Sequence, residues 1–159
     1  MPLSDIILFA HPTFGVLAIL ACVWVLVELL NASSANLSRA RQAALIVTVC
    51  MVAAWILGGY WYVNFYYAEK AVILKGPWPW AHNVIMETKE HLFFIPLVLT
   101  LYLPIVMRDD FVRNLTARYM AMAVVVMIIG SGLAIEGGGA LINAGAKVAF
   151  IHSGTTGAE

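Results

Sequence analysis

Charged residues are scarce in this chain of 159 residues. Only 11% of the residues are charged and 62% are hydrophobic, whereas soluble domains average about 25% and about 45–50%. Nine basic and nine acidic residues cancel, so the chain lacks the one-signed field that attracts nucleic acid. Such a composition cannot hide its apolar surface in water, which predicts a single integral membrane domain embedded in a lipid bilayer.

Cysteine motifs and leader features are missing as well. Cys22 and Cys50 stand alone inside apolar runs, which excludes a disulfide framework and a CxxC metal or haem-attachment motif. The first apolar run has no basic flank and no small-residue cleavage site, and it is too long for the core of a signal peptide. We therefore expect this run to stay in the membrane as a helix.

The apolar runs predict an all-α fold, an up-down bundle of four transmembrane helices. About 20 residues at a rise of about 1.5 Å cross a hydrocarbon core of about 30 Å. The Glu-Gly-Gly-Gly sequence at 136–139 is expected to end the fourth helix and leave a short amphipathic segment, 140–152, on the membrane surface. The predicted spans are residues 6–30, 43–62, 82–107 and 117–135.

Arginines mark the two short turns that follow the first and third spans. Lysines on the opposite side lie further from the span ends or beside glutamates. The positive-inside rule then places the arginine turns in the cytoplasm. This predicts an N-out, C-out protein, in a membrane that we expect to be a bacterial inner membrane. The arginines are Arg39, Arg41, Arg108, Arg113 and Arg118.

All four histidines fall on the predicted outer side of this topology. Counted from the cytoplasmic ends of their helices, His11 and His91 lie at similar depths of about 28 Å and about 24 Å. Ionisable groups at such depth are costly, so function is the default hypothesis for them. The other ionisable groups on this side include His82, His152, Glu69, Glu87, Glu90 and Glu136.

Small side chains follow His11 at helical spacing. Gly15, Ala18 and Cys22 form a stripe on which the edge of a macrocycle would rest, although the same stripe also suits close helix packing in lipid. The first and third helices of an up-down bundle lie diagonally across the core, which leaves room for a planar cofactor between His11 and His91.

The segment Glu87-Thr88-Lys89-Glu90-His91 has three interpretations. It is a solvated first turn, a cofactor ligand with supporting carboxylates, or a site for a single metal ion. Glu87 and His91 share a helix face, whereas His82 lies nearly opposite His91. His82 is therefore expected to serve a second site or to cap the helix at the water interface. We expect His152 to be solvated; both are weaker candidates for a metal ligand.

This histidine placement resembles that of the small four-helix membrane b-type cytochromes. The resemblance rests on the bundle pattern and on His11 and His91, and the chain differs from diheme members because it has no histidine pair at the cytoplasmic face. It implies haem b with His11 and His91 as axial ligands, Gly15 beside the haem, and Glu87 or Glu136 orienting a ligand or meeting the propionates.

The resemblance also implies redox partners, namely a quinol or an outer-side cytochrome, and other membrane subunits. Two alternatives stay open: a non-haem metal site and a cofactor-free accessory subunit of a larger complex. An electron-transfer or accessory role is favoured over that of a stand-alone enzyme, since the sequence has no fixed-spacing catalytic motif.

Overall fold

The computed structural model describes residues 2–156, and its regular structure is entirely helical. Four helical stretches are long and apolar enough to cross a membrane. The predicted all-α bundle of four membrane-spanning helices is therefore confirmed, and the chain is an integral membrane protein. The stretches are α1 (Leu3–Leu30), α2 (Leu37–Lys75), a third span and α5 (Leu115–Thr156); the third span joins a π-helical segment (Ala81–Met86) to α3 (Glu87–Leu92) and α4 (Phe94–Val106).

Helix α1 packs against α2 and α5, and the third span packs against the same two helices from the other side. Since α2 and α5 also contact each other, α1 and the third span lie diagonally and make no close backbone contact with each other. The diagonal arrangement was predicted, and the contact between α2 and α5 passes between the two diagonal helices; a planar cofactor stays a prediction. Small residues at the α1–α2 contact, such as Ala18, Ala43 and Ala44, are fully buried and permit close approach of the helices.

Arginines hold together the end of the bundle that contains the turns at 31–36 and 107–114, which we call the arginine end. Arg118 donates hydrogen bonds to the carbonyl oxygens of Leu29 and Leu30, at 2.6 and 2.7 Å, and Arg41 donates to that of Met107 at 2.8 Å. The last carbonyl groups of a helix have no partner within the helix, so these arginines stabilise two helix C-termini as well as marking a membrane side.

Two helices run much further than the sequence predicts at the opposite, histidine end. Helix α2 continues beyond residue 62 to Lys75, and α5 continues through 136–139 to Thr156, so the separate surface segment 140–152 was wrong. Their 39 and 42 residues measure about 58 and about 63 Å, roughly twice the hydrocarbon core. Glycine did not end α5, because packing against neighbouring helices overrides a weak local propensity.

The extended ends of α2 and α5, together with the π-helical segment, form a second small core that we call the projection. A Cβ atom at Gly145 of α5 would lie 2.7 Å from that of Ala81, so only glycine permits this approach. The projection includes residues between the second and third predicted spans, such as Tyr66 and Ile73. Its buried residues are Tyr66, Ile73, Ala81, Met86, Ile142 and Ala146.

The third span is not one regular helix. Phe93 separates α3 from α4, three residues before Pro96, which has no N–H to donate to the carbonyl group of Leu92. The π-helical segment at its start has wider turns than an α-helix, and such segments are often found at functional sites. Together these two irregularities decide which way each side chain of the span faces.

Candidate functional site

His11 faces helix α2 from within the bundle. Its Nδ1 lies 2.8 Å from the carbonyl oxygen of Ala54, and because a carbonyl oxygen only accepts hydrogen bonds, Nδ1 carries the hydrogen and Nε2 keeps its lone pair. The ring lies over Gly58, where a Cβ atom would be 2.5 Å from Cε1 of the imidazole. Glycine at this position is therefore what lets the imidazole enter the helix interface.

Glu136 makes the same kind of approach from α5 to α1. Its carboxylate lies directly over Gly15, so that any side chain at position 15 would collide with it. His11, Gly15 and Glu136 line one enclosed cavity with ≈ 10 Å³ open to the centre of a water molecule, and a single water needs roughly 10–15 Å³ on this measure. Three residues predicted to surround a cofactor thus meet, but in a space that admits a water molecule and no macrocycle.

Lys89 is a third ionisable residue of this region, and sequence reasoning did not single it out. Its ammonium group extends from α3 to α5, where a Cβ atom at Gly139 would lie 3.2 Å from Nζ. Its charge acts on both His11 and Glu136. We call His11, Lys89 and Glu136, which are all half-buried, the polar cluster. Each of the three side chains comes from a different helix and lies over a glycine of a neighbouring one.

His91 lies on the side of the third span that faces away from the bundle, where its side chain is exposed. Its Nδ1 is 2.7 Å from the carbonyl oxygen of Glu87, so here too Nδ1 carries a hydrogen, and in the neutral ring Nε2 has the lone pair. His91 lies in an open groove of ≈ 550 Å³, which we call the His91 groove. Its lining residues are Glu87, Thr88, His91, Leu92 and Ile95.

The structure does not bring His11 and His91 together. They line different cavities, and the helices that carry them make no close backbone contact. The expectation that Glu87 and His91 share a face is confirmed, since both line the groove. Glu136, in contrast, belongs to the cavity beside His11.

His82 is buried, with 3% of its surface exposed, and the expected solvated cap at the water interface was wrong because the projection covers it. Its Nδ1 shares a hydrogen bond of 3.1 Å with the hydroxyl of buried Tyr66. Its Nε2 lies 3.7 Å from Oε1 of Glu87, so Glu87 connects this pair to the His91 groove. His152, near the end of α5, is exposed as predicted.

The donor set for a non-haem metal is thin in the part of the chain that the structure describes. Within those residues no group of three or more His, Cys, Asp and Glu side chains is arranged to hold a metal ion. Oε1 of Glu90 is buried without a hydrogen-bond partner among the same residues, and the Tyr62 hydroxyl is close to this carboxylate. Both cysteines are buried and free, as predicted.

Comparisons with known proteins leave the site to be interpreted from its own geometry. The chain matches no protein-family model, no curated protein and no solved structure. The resemblance to b-type cytochromes therefore stays a prediction. What the described residues offer is a one-water cavity lined by two ionisable groups, His11 and Glu136, and an open groove lined by His91 and Glu87.

Proposed function

We propose that the chain is a haem-binding electron-transfer subunit of a membrane complex, with His91 as an axial ligand. One observation carries the proposal: Nδ1 of His91 is held by a backbone carbonyl 2.7 Å away, which leaves Nε2 free in an open groove. Imidazole ligands of metals are usually oriented through the other ring nitrogen in this way. His11 has the same tautomer, but its cavity is too small for a macrocycle.

The position of the His91 groove along its span suggests that another group covers the groove in the membrane. His91 lies about 22 Å from the arginine end of its span, within an apolar zone of about 30 Å. Glu87, Thr88 and His91 all face away from the bundle, whereas polar side chains at membrane depth face a protein interior or a cavity. We therefore expect this polar face to contact a cofactor and a neighbouring subunit rather than lipid tails.

The groove has the residue types that a haem would contact, namely a histidine, apolar side chains and polar side chains. The space beside His91 is open on its outer side, and all five of its lining residues belong to the third span. Leu92 and Ile95 supply apolar contacts, while Glu87 and Thr88 supply polar groups nearer the histidine end, where propionates would meet water. A haem bound here would supply one-electron chemistry, and His91 is the residue of this groove that would hold its iron.

The partners in this proposal are a quinol or a cytochrome on the histidine side. The proposed setting is a bacterial inner membrane, with the N- and C-termini outside. His82 contributes indirectly, since its Nε2 lies 3.7 Å from the Glu87 carboxylate and limits where that carboxylate can move. A buried aromatic residue, Tyr66, holds His82 in turn.

Absorption spectra of the purified protein, oxidised and reduced, test the proposal. We expect a b-type haem spectrum that is lost in His91→Ala and kept in the matched control His152→Ala, because His152 is exposed on α5 and lies outside the groove. Loss of haem in both His91→Ala and His11→Ala, with a low-spin wild type, would favour the pair predicted from the sequence. A preparation without haem absorption refutes the proposal. Metal analysis then separates the two alternatives: a stoichiometric metal favours the non-haem metal site, and none favours the accessory subunit, in which the groove is a protein interface.

A further inference from the structure

The His91 groove encloses a ligand from one side only. All of its lining residues lie on the third span, and its outer side is open. Ligand sites in proteins bury about 70–90% of the surface of the bound molecule, whereas a single wall covers only one of the two faces of a flat haem. The groove is therefore half of a haem site, and a second wall is needed to complete it.

The second wall also has to supply an axial ligand, because the groove holds a single imidazole. Among the described residues no other histidine, and no methionine or cysteine, lines the groove. His11 lines a separate cavity and is hydrogen-bonded to Ala54, and His82 is buried and hydrogen-bonded to Tyr66. Haem iron with two axial side chains, as in cytochromes c, therefore needs a ligand from another chain.

We infer that a second copy of this chain completes the site and contributes its own His91 as the second axial ligand of one shared haem. The inference rests on the proposed function, since it takes haem binding at His91 as given. Two-fold symmetric dimers are the commonest assemblies and use the same surface patch of both chains. In each copy the carbonyl group of Glu87, 2.7 Å from Nδ1 of His91, orients the imidazole so that Nε2 faces the iron.

Depth in the membrane makes His91 meet its own counterpart. Copies of one membrane protein that share an orientation are related by a two-fold axis along the membrane normal, so every residue lies at the same depth in both copies. His91 lies 15 residues from Val106, about 22 Å from the arginine end. A different subunit would need a histidine at this one depth, whereas a second copy has one there by symmetry.

The polar side chains of the groove favour a protein over lipid tails as its cover. Polar groups at membrane depth usually face protein or a cavity, yet Glu87, Thr88 and His91 are all exposed in the single chain. In the pair of copies, both sets of these side chains lie in the interface beside the haem, so that neither set faces lipid tails.

An apolar stripe continues from the groove toward the arginine end and gives the two copies a surface on which to pack. Val98 and Ile105 follow Ile95 at steps of three and seven residues, which places them on one side of helix α4. All three side chains are more than half exposed. Because lipid tails are as apolar as this stripe, the stripe permits pairing, and the shared iron stabilises the pair.

Mixed dimers test whether the second ligand comes from the other copy. Wild-type and His91→Ala chains with different affinity tags are co-expressed, and mixed pairs are isolated through both tags. We expect wild-type pairs to hold one haem for every two chains, counted by native mass spectrometry, with a six-coordinate, low-spin spectrum. Mixed pairs keep one ligand and should give a five-coordinate, high-spin spectrum, which added imidazole returns to low spin. Mixed pairs of wild type with His152→Ala are the matched control and should stay low-spin.

Cross-linking of full-length chains that keep His91 decides the matter even where mixed pairs cannot be isolated. Ile105→Cys and Thr116→Cys each place a thiol at an exposed position one residue from the arginine end of its helix, and the native cysteines are buried. A short bismaleimide should join two copies through Ile105→Cys on α4 and not through Thr116→Cys on α5.

Three results overturn the inference and leave haem binding at His91 in place: one haem for every chain, a low-spin spectrum that survives in the His91→Ala mixed pairs, or equal cross-linking at the two cysteine positions. A preparation without haem overturns the proposed function, and this inference with it. The two failures are therefore distinguishable.

Discussion

Two adjacent glycines of helix α2 offer a matched test of how the polar cluster is accommodated. A Cβ atom at Gly58 would lie 2.5 Å from Cε1 and 2.7 Å from Nδ1 of His11, whereas a Cβ atom at Gly59 meets nothing within 4 Å. Both residues lie inside the same helix, so both alanine substitutions bring the same gain in helix propensity. The difference between the variants therefore isolates the contact with His11.

The magnitudes follow from general values. Replacing a helical glycine by alanine stabilises by about 0.5–1 kcal/mol, and this is the whole expected effect of Gly59→Ala. In Gly58→Ala the methyl group forces the imidazole aside, and overpacking of this kind costs about 1–3 kcal/mol. We expect Gly58→Ala to unfold with a free energy about 1–3 kcal/mol lower than Gly59→Ala.

Reversible denaturation in mixed micelles, followed by circular dichroism, measures this difference. Histidine NMR on the same samples reports whether Nδ1 of His11 keeps its hydrogen bond to Ala54. Equal free energies of unfolding for the two variants, with an unchanged His11 signal in Gly58→Ala, would refute the packing of His11 over Gly58 and would remove the structural basis of the cluster.

Two further predictions concern topology and the projection. Single cysteines at Ser34 and Asp110, both exposed in the arginine-end turns, should react with membrane-impermeant reagents only from the cytoplasmic side, since Cys22 and Cys50 are buried; labelling of intact cells from outside would reverse the orientation. Tyr66→Phe leaves the buried His82 without its partner and should lower the free energy of unfolding by about 1–3 kcal/mol. Phenylalanine at Tyr67, which is 74% exposed, should change it by less than about 0.5 kcal/mol, and equal effects of the two phenylalanines would contradict the buried Tyr66–His82 pair.

The fold class was predictable because the length of an apolar run fixes whether a helix can cross a membrane. The helix lengths at the histidine end were not predictable, since α2 and α5 contact each other there in the core of the projection. Local sequence patterns do not reveal such contacts. The glycines at 137–139 were misread as a helix end. Gly139 instead makes room for the Lys89 ammonium group.

The candidate site was predictable in part. His11, Gly15 and Glu136 were chosen from the sequence and do line one cavity, because depth along a helix can be counted from the sequence. The direction in which each side chain of the third span points cannot be counted in this way. The π-helical segment and the break at Phe93 change the angular position of the residues near them around the helix axis. For that reason the sequence paired His91 with His11, and it missed Lys89, whose long side chain reaches from α3 across to α5.

The continuity of α2 and α5 has a mechanical consequence. Each runs without a break from the arginine end, through the membrane, to the tip of the projection. A stiff rod of this kind acts as a lever whose pivot is the packed middle of the bundle. A protein that binds the projection and tilts it would move the opposite ends of the same helices. That movement would include the region where Arg118 donates hydrogen bonds to the end of α1. Binding on one side would thereby change the structure at the other end of the bundle, although no ligand crosses the membrane.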